Sequence, residues 1–284
     1  MRTVSLRDGG SLPALGLGTW RFGESKRTRA AEVTAVRAAL ELGYRLIDTA
    51  EMYGEGGAEE VVGEAVAQAL AAGDVRRDDL FIVSKVYPHH ASLRGVAAAC
   101  DRSRARLRLD TIDLYLLHWR GSHPLAATVD GFERLRSAGH IHQWGVSNFD
   151  LDDMQELWQL EHGPSCPANQ VYYSASHRGI EFDLLPWHRE HAVATMAYCP
   201  IDQGTLASNP GLARTAARHR VTAAQLALAW VLRDPTVIAI PKAGRIEHLR
   251  ENLAAADLVL DADDLAALDR LFPPPRRKQP LAMS

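Results

Sequence analysis

Four short apolar runs of this chain each close on residues that could do chemistry together. Asp48 ends Arg45-Leu46-Ile47-Asp48, and Lys85 ends Leu80-Phe81-Ile82-Val83-Ser84-Lys85. His118 ends Asp113-Leu114-Tyr115-Leu116-Leu117-His118, and Ser147-Asn148 end Trp144-Gly145-Val146-Ser147-Asn148. Tyr53 stands five residues after Asp48. A phenol ordinarily loses its proton near pH ~10, too high for efficient donation at neutral pH. A nearby ammonium favours phenolate, and an aspartate beside that ammonium holds it charged and oriented. Tyr53 is therefore expected to serve as a general acid, with Lys85 lowering its pKa and Asp48 holding Lys85. His118 can donate to a carbonyl oxygen and place it beside Tyr53. Protonating that oxygen makes sense if a hydride reaches its carbon, and no side chain supplies hydride. A nicotinamide cofactor is implied.

These residues are far apart in sequence, so the fold must bring them together. Runs this short and apolar read as strands buried on both faces, as in a parallel sheet covered by helices. In a (β/α)8 barrel the carboxyl ends of the strands converge on one mouth. After a hairpin closing at Asp8-Gly9-Gly10, strands are expected over residues 14–18, 46–48, 80–84, 111–118, 141–146, 168–171, 192–198 and 237–240. Helices are expected over 30–42, stopped by Gly43, and over 58–70, 92–107, 125–138, 151–158 and 181–189. The series ends with 212–218, 223–233, 247–255 and 262–271. Two helices fall between the last two strands, so one is an addition to the barrel. The expected fold is α/β, a (β/α)8 TIM barrel with an N-terminal β-hairpin and a C-terminal helix, as one domain over 1–284. Pro273-Pro274-Pro275 ends the last helix, and 273–284, with Arg276-Arg277-Lys278, reads as a short mobile tail.

Bulk properties remove several classes. The net charge of −3 leaves no electrostatic footprint for nucleic acid or an anionic membrane. No run approaches the ~18 apolar residues of a spanning helix, and the opening residues are too polar for a secretory signal. Cys100, Cys166 and Cys199 are odd in number and not closely paired, which points to a reduced, cytoplasmic protein. His89-His90, His140/His142 and His188/His191 lack the further ligands of a recurring metal site, so no metal is expected. No Gly-x-Gly-x-x-Gly is completed, so a Rossmann nucleotide site is unsupported.

From about Ser11 to Pro273 the chain resembles the aldo-keto reductases. The motifs are Gly16-Leu17-Gly18-Thr19-Trp20, Ile47-Asp48-Thr49-Ala50-Glu51-Met52-Tyr53-Gly54, Ser84-Lys85 and Leu116-Leu117-His118-Trp119. Further on come Gly145-Val146-Ser147-Asn148-Phe149, Asn169-Gln170-Val171, Ala197-Tyr198-Cys199-Pro200 and Ile240-Pro241-Lys242. Ser84-Lys85-Val86-Tyr87-Pro88, Arg178-Gly179-Ile180-Glu181 and Asp183-Leu184-Leu185-Pro186-Trp187 resemble a bacterial branch associated with methylglyoxal reduction. The resemblance implies Tyr53 as proton donor, Lys85 and Asp48 as its partners, and His118 as the residue that orients the carbonyl. It implies that Ser147, Asn148 and Gln170 bind the nicotinamide carboxamide, that Tyr198 stacks on the ring, and that the 4-pro-R hydride is transferred. Thr19, Trp20 and Asp48 join the cofactor set. Adenosine phosphate would be held by Lys242, Arg245, His248, Glu251 and Asn252. Ala243 stands where many members carry Ser and His248 where many carry Arg, so the implied preference for NADPH is weaker than in Arg-bearing members.

Trp20, Tyr53, Tyr87, His118 and Trp119 would wall a pocket for small aldehydes or ketoaldehydes. Each residue alone has a plainer role, as a solvated loop charge, a satisfied histidine or rim packing. Together, in the family's order at its strand ends, they do not. A monomer is expected, with weak self-association left open. The competing class is a non-enzymatic nucleotide-sensing subunit on the same scaffold, as in the family's potassium-channel β-subunits. A double-bond reductase would carry Glu where His118 stands.

Overall fold

The structure is a computed structural model that describes residues 2–7 and 9–283. Eight parallel strands form one sheet in which chain neighbours are sheet neighbours: β3 (Leu17–Gly18), β4 (Leu46–Asp48), β5 (Phe81–Val86), β6 (Ile112–Leu117), β7 (Ile141–Ser147), β8 (Ala168–Tyr172), β9 (Ala194–Tyr198) and β10 (Val237–Ala239). The sheet closes on itself. Leu15 bridges Ala239 and Gly18 bridges Lys242, while Ala239 N–H donates to Ala14 O at 2.8 Å and Gly16 N–H to Ala239 O at 2.9 Å. The expected strand over 14–18 thus divides its bonds between β4 and β10, and only Leu17–Gly18 pairs with β4. Gly18 has to be glycine, because a Cβ there would sit 2.7 Å from Ile240 O across the closing seam.

Strands β4, β6 and β8 are buried at every residue, as a barrel wall between interior and helices requires. The helices are α1 (Arg29–Glu41), α2 (Gly57–Ala72), α3 (Gly95–Leu107), α4 (Leu125–Ser137), α5 (Leu151–Trp158), α6 (Leu184–Glu190), α7 (Pro210–His219), α8 (Ala223–Leu232), α9 (Ile246–Ala255) and α10 (Ala262–Leu271). The addition between β9 and β10 is α7. It is tied to α10 by Arg218 on Asp264 at 2.8 Å and His219 on Asp264 at 2.7 Å, whereas α8 is apolar and buried for most of its length.

Two helices start later than the sequence suggests. Ser92 stays outside α3, its Oγ accepting from Gly95 N–H at 3.1 Å, and Asp183 caps α6 by accepting from Leu184 N–H. Short polar side chains satisfy the open N–H groups at helix starts, so they sit before the first turn.

The hairpin of β1 (Thr3–Ser5) and β2 (Ser11–Pro13) pairs Val4 with Leu12, both buried, and Arg2 donates to Asp234 O at 3.0 Å beside the amino end of β10. It plugs the end of the barrel opposite the mouth; Asp8 lies outside the described residues. The segment after Phe272 crosses the mouth side. Lys278 pairs with Asp152 at 3.0 Å, Leu281 packs on the core, and Met283 reaches the central cavity. Among the described residues no helix is long and apolar enough to cross a membrane.

Candidate active site

The carboxyl ends of the strands surround a cavity of about 890 Å³. Asp48 ends β4 and Lys85 lies one residue before the end of β5; both are buried. Lys85 Nζ donates to Asp48 Oδ1 and Oδ2 at 2.9 and 2.8 Å, to Thr49 O at 2.8 Å and to the Tyr53 hydroxyl oxygen at 3.3 Å. Gln170, on β8, adds a bond from Nε2 to Asp48 Oδ1 at 2.7 Å. Tyr53 sits on the turn between β4 and α2. That turn is pressed against the Trp20-to-Gly23 loop, where a Cβ on Gly23 would lie 2.1 Å from Gly57 C. Gly23 and Gly54 also have φ of +73° and +58°, which suits glycine. These glycines fix the distance between Trp20 and Tyr53.

Burial is the leading influence on Asp48, Lys85, Tyr53 and His118. It pulls the Asp48 carboxyl up and the Lys85 ammonium down, and each partner opposes the other's shift. The carboxylate–ammonium form is the one that Gln170 and Thr49 O solvate, so these contacts support the ion pair. The Tyr53 phenol is pushed well above its ordinary value, by burial and then by the Asp48 carboxylate. This reverses the expectation that Lys85 lowers it. Burial leads the shift, and Asp48, 2.8 Å from the ammonium, offsets its charge and adds its own push upward. The geometry still serves donation. An ammonium can only donate, so the Tyr53 oxygen accepts from Lys85 and its own O–H is free to point elsewhere. Tyr53 is protonated at neutral pH, and the contact that would stabilise its oxygen as an anion is already in place.

His118 follows β6, with its ring edge-on to Tyr53 at 5.8 Å between centroids and against Trp119 at 4.8 Å. Burial, then Lys85, pushes its pKa well below the ordinary value, so the ring is neutral. Its Nδ1 is buried and has no partner among the described residues. An N–H there would be left unsatisfied, which favours the tautomer with the proton on Nε2. Nε2–H is then the donor available to the cavity.

Beside the tetrad, Ser147 Oγ donates to Gln170 O at 2.9 Å, and Asn148 Nδ2 donates to His118 O at 3.1 Å. Tyr198, which ends β9, donates from its hydroxyl to Asn148 Oδ1 at 2.8 Å. The cavity wall runs on past Tyr198 to Lys242, His248, Glu251 and Asn252. Lys242 makes no ion pair among the described residues and lies 5.3 Å from the Phe22 ring, while Arg245 donates to His248 Nε2. Ala243 is buried and brings no hydroxyl. An aromatic and amide-lined end joined to a cationic end fits a phosphorylated dinucleotide.

Other expected residues stand apart. Thr19 is enclosed, its Oγ1 donating to Asp48 O at 2.9 Å, so it positions Asp48 rather than facing the cavity. Tyr87 lies beyond Trp119, edge-on at 5.9 Å, with its hydroxyl on Glu55 at 3.3 Å, and is not on the cavity wall. Arg245 is exposed and reaches the trough only through His248. Arg120 is engaged by Glu156 at 2.7 Å. Of the histidines weighed as ligands, His188 is enclosed between Thr195 and Asn169, His142 contacts Asp113, and His90 contacts Glu51. The wall also includes Arg21, Met52, Cys199, Gln203 and Met283, which sequence reading did not assign to it. Arg21, Cys199 and Gln203 have positive φ, a signal that residue types alone do not carry.

A closed eight-stranded parallel barrel carries its chemistry at the carboxyl ends of the strands, and this mouth holds a lysine-clamped tyrosine. Residues 14–272 match the aldo/keto reductase family, and the chain belongs to it. It is 47% identical over 278 residues to methylglyoxal reductase YeaE of Escherichia coli strain K12, covering 96% of this chain and 95% of that protein. A crystal structure of an aldo-keto reductase from Klebsiella pneumoniae in complex with NADPH superposes with a TM-score of 0.94 at 48% identity, covering 100% and 99% of the two chains. The thermostable aldo-keto reductase Tm1743, solved with the inhibitor epalrestat, gives 0.88 at 38% identity over 95% of this chain and 100% of its own.

Proposed function

We propose that this protein reduces small aldehydes and ketoaldehydes, methylglyoxal among them, to alcohols with NADPH. The observation that carries the reading is the Lys85 contact. The ammonium, fixed by Asp48 and Thr49 O, donates to the Tyr53 oxygen and leaves the phenolic proton for the substrate. When bound, the reduced nicotinamide supplies a hydride to the carbonyl carbon.

The chain's residues do the rest. His118 Nε2–H donates to the carbonyl oxygen and brings it within reach of Tyr53. As negative charge grows on that oxygen, Tyr53 gives up its proton, and the Lys85 ammonium stabilises the phenolate that remains. Aldehyde, hydride and proton make the alcohol, and Tyr53 recovers its proton from solvent. Trp20 and Trp119 wall the substrate end of the cavity, and the loop from Trp119 to Pro124 is short, which suits compact carbonyls. In this reading Ser147, Asn148 and Gln170 hold the carboxamide, Tyr198 faces the ring, and Lys242, His248, Glu251 and Asn252, with Arg245 behind His248, hold the adenosine phosphate.

The test is loss of nicotinamide absorbance with NADPH and a size series of carbonyls beginning at methylglyoxal. Turnover is expected to be highest for the short members. Tight NADPH binding with no turnover of any of them would overturn the reading and favour a nucleotide-sensing role.

A further inference from the structure

Tyr198, the residue placed to face the nicotinamide ring, is itself backed by a stack. Its ring lies on Tyr172 at 5.3 Å and 22°, and Tyr172 lies on His177 at 4.5 Å and 16°. Sheet register explains the first pair, because Tyr172 and Tyr198 are direct partners at the ends of β8 and β9 and so point to one face. His177 is held by a tight turn: its N–H donates to Ser174 O at 3.1 Å and to Ser174 Oγ at 3.2 Å.

One carboxylate spans this stack. Asp202 Oδ1 accepts from the Tyr172 hydroxyl, Oδ2 accepts from Ser176 Oγ at 3.1 Å, and His177 Nδ1 lies 3.6 Å from Oδ1. Asp202 belongs to the loop that follows Tyr198, whose Ile201, Gln203, Gly204 and Ala207 line the cavity. Asp202, Gln203 and Gly204 all have positive φ, at 52°, 51° and 96°. A left-handed backbone is tolerated by Asp and Gly but is unfavourable for Gln203, so local contacts have to hold the loop in this form. Backbone bonds from Asp202 to Cys199 O and from Gly204 to Ile201 O hold the turn itself, and the Asp202 side chain ties it to Tyr172 and Ser176.

We propose that Asp202 is a positioning residue for the cofactor. Its carboxylate clasps the β9 loop to Tyr172, Ser176 and His177, fixing both the ring platform under the nicotinamide and the loop wall beside it. The clasp rests on the functional reading above. A pre-formed wall spares the cofactor the cost of ordering that loop, so losing the clasp weakens cofactor binding more than it slows chemistry.

NADPH affinity is measured by quenching of protein fluorescence, alongside steady-state rates, for wild type, Asp202→Ala, Asp202→Asn, Tyr172→Phe and the Asp202→Ala/Tyr172→Phe double variant. Asp202→Ala is expected to raise the NADPH Kd and KM about tenfold, with kcat changed by less than about threefold. Asp202→Asn keeps an acceptor for the Tyr172 hydroxyl and recovers part of the loss. Tyr172→Phe keeps the ring and loses only the hydroxyl, so it should weaken binding alone, and the double variant should be no worse than Asp202→Ala. Unaltered Kd in Asp202→Ala and in Tyr172→Phe, or fully additive losses in the double variant, would overturn the clasp and leave the reductase reading intact. If Asp202→Ala does not fold, Tyr172→Phe decides. A wild type that does not bind NADPH would instead overturn the functional reading itself.

Discussion

The two ends of the trough are built differently. At the substrate end Lys85, Asp48, Gln170 and Thr49 are buried and linked through four bonds of 2.7–2.9 Å, and nothing need move for them to act. At the other end Lys242 and Arg245 are exposed, and His248 is tied to Arg245 rather than to the barrel. Buried charges in a fixed network contribute large, specific effects, whereas exposed charges contribute small and salt-sensitive ones. Chemistry should therefore be sensitive to single substitutions at the first end, and cofactor choice only gradually tunable at the second.

The largest effect should come from breaking the clamp. Lys85→Met leaves the Asp48 carboxylate buried without its counter-ion, and should cost about 3–5 kcal/mol of stability as well as most turnover. Denaturant unfolding at neutral pH measures it. A companion Asp48→Asn change in the same chain should restore much of the stability and none of the turnover. If Lys85→Met alone is as stable as wild type, the pair is not buried as described.

Protonation provides the next comparison. His188 is fully buried and pushed down to about 3 by burial. The unfolded chain binds its proton below about pH 6.5 and the folded one does not, so stability is complete above that pH and falls as pH drops. The loss should be about 1.4 kcal/mol per pH unit from this group alone. His188→Gln should flatten that dependence, as read from unfolding between about pH 6.5 and about pH 4. Activity should behave otherwise. The proposed mechanism needs Tyr53 protonated and His118 neutral; burial raises the first pKa and lowers the second, so neither condition should be lost near neutrality. kcat for reduction should be level from about pH 6.5 to about pH 9. A titration near neutrality that is abolished in His118→Gln would show that His118 is charged in the working enzyme.

The smallest effect belongs to the exposed end. His248→Arg should raise the preference for NADPH over NADH by about two- to fivefold, as one more exposed charged contact would. The gain should shrink as salt is added. An increase of orders of magnitude would mean that this end is more enclosed than the structure shows.

The substrate end was the more legible in sequence, for a physical reason. Strands buried on both faces must be short apolar runs, so a polar residue closing one stands out, as Asp48, Lys85 and His118 do. The turn carrying Tyr53 was legible by its spacing from Asp48. Residues placed by loops were not. Arg21, Cys199 and Gln203 reach the cavity through positive φ values that no periodicity encodes, and Met283 through a chain end that passes back over the mouth. Thr19 and Tyr87 sit next to strand ends yet turn to Asp48 O and Glu55, because their nearest hydrogen-bond partners lie away from the cavity. The sign of the Tyr53 shift was missed because a residue list names the ammonium without showing how deeply the phenol is buried or that the Asp48 carboxylate lies beside it.

The central claim is that Tyr53 gives the proton. Tyr53→Phe removes one oxygen and keeps the ring, so NADPH should still quench the protein's fluorescence with nearly unchanged affinity. With methylglyoxal, turnover should fall by about 10²–10⁴-fold relative to wild type. A Tyr53→Phe protein that still oxidises NADPH at the wild-type rate would contradict the account, because the proton would then come from another group.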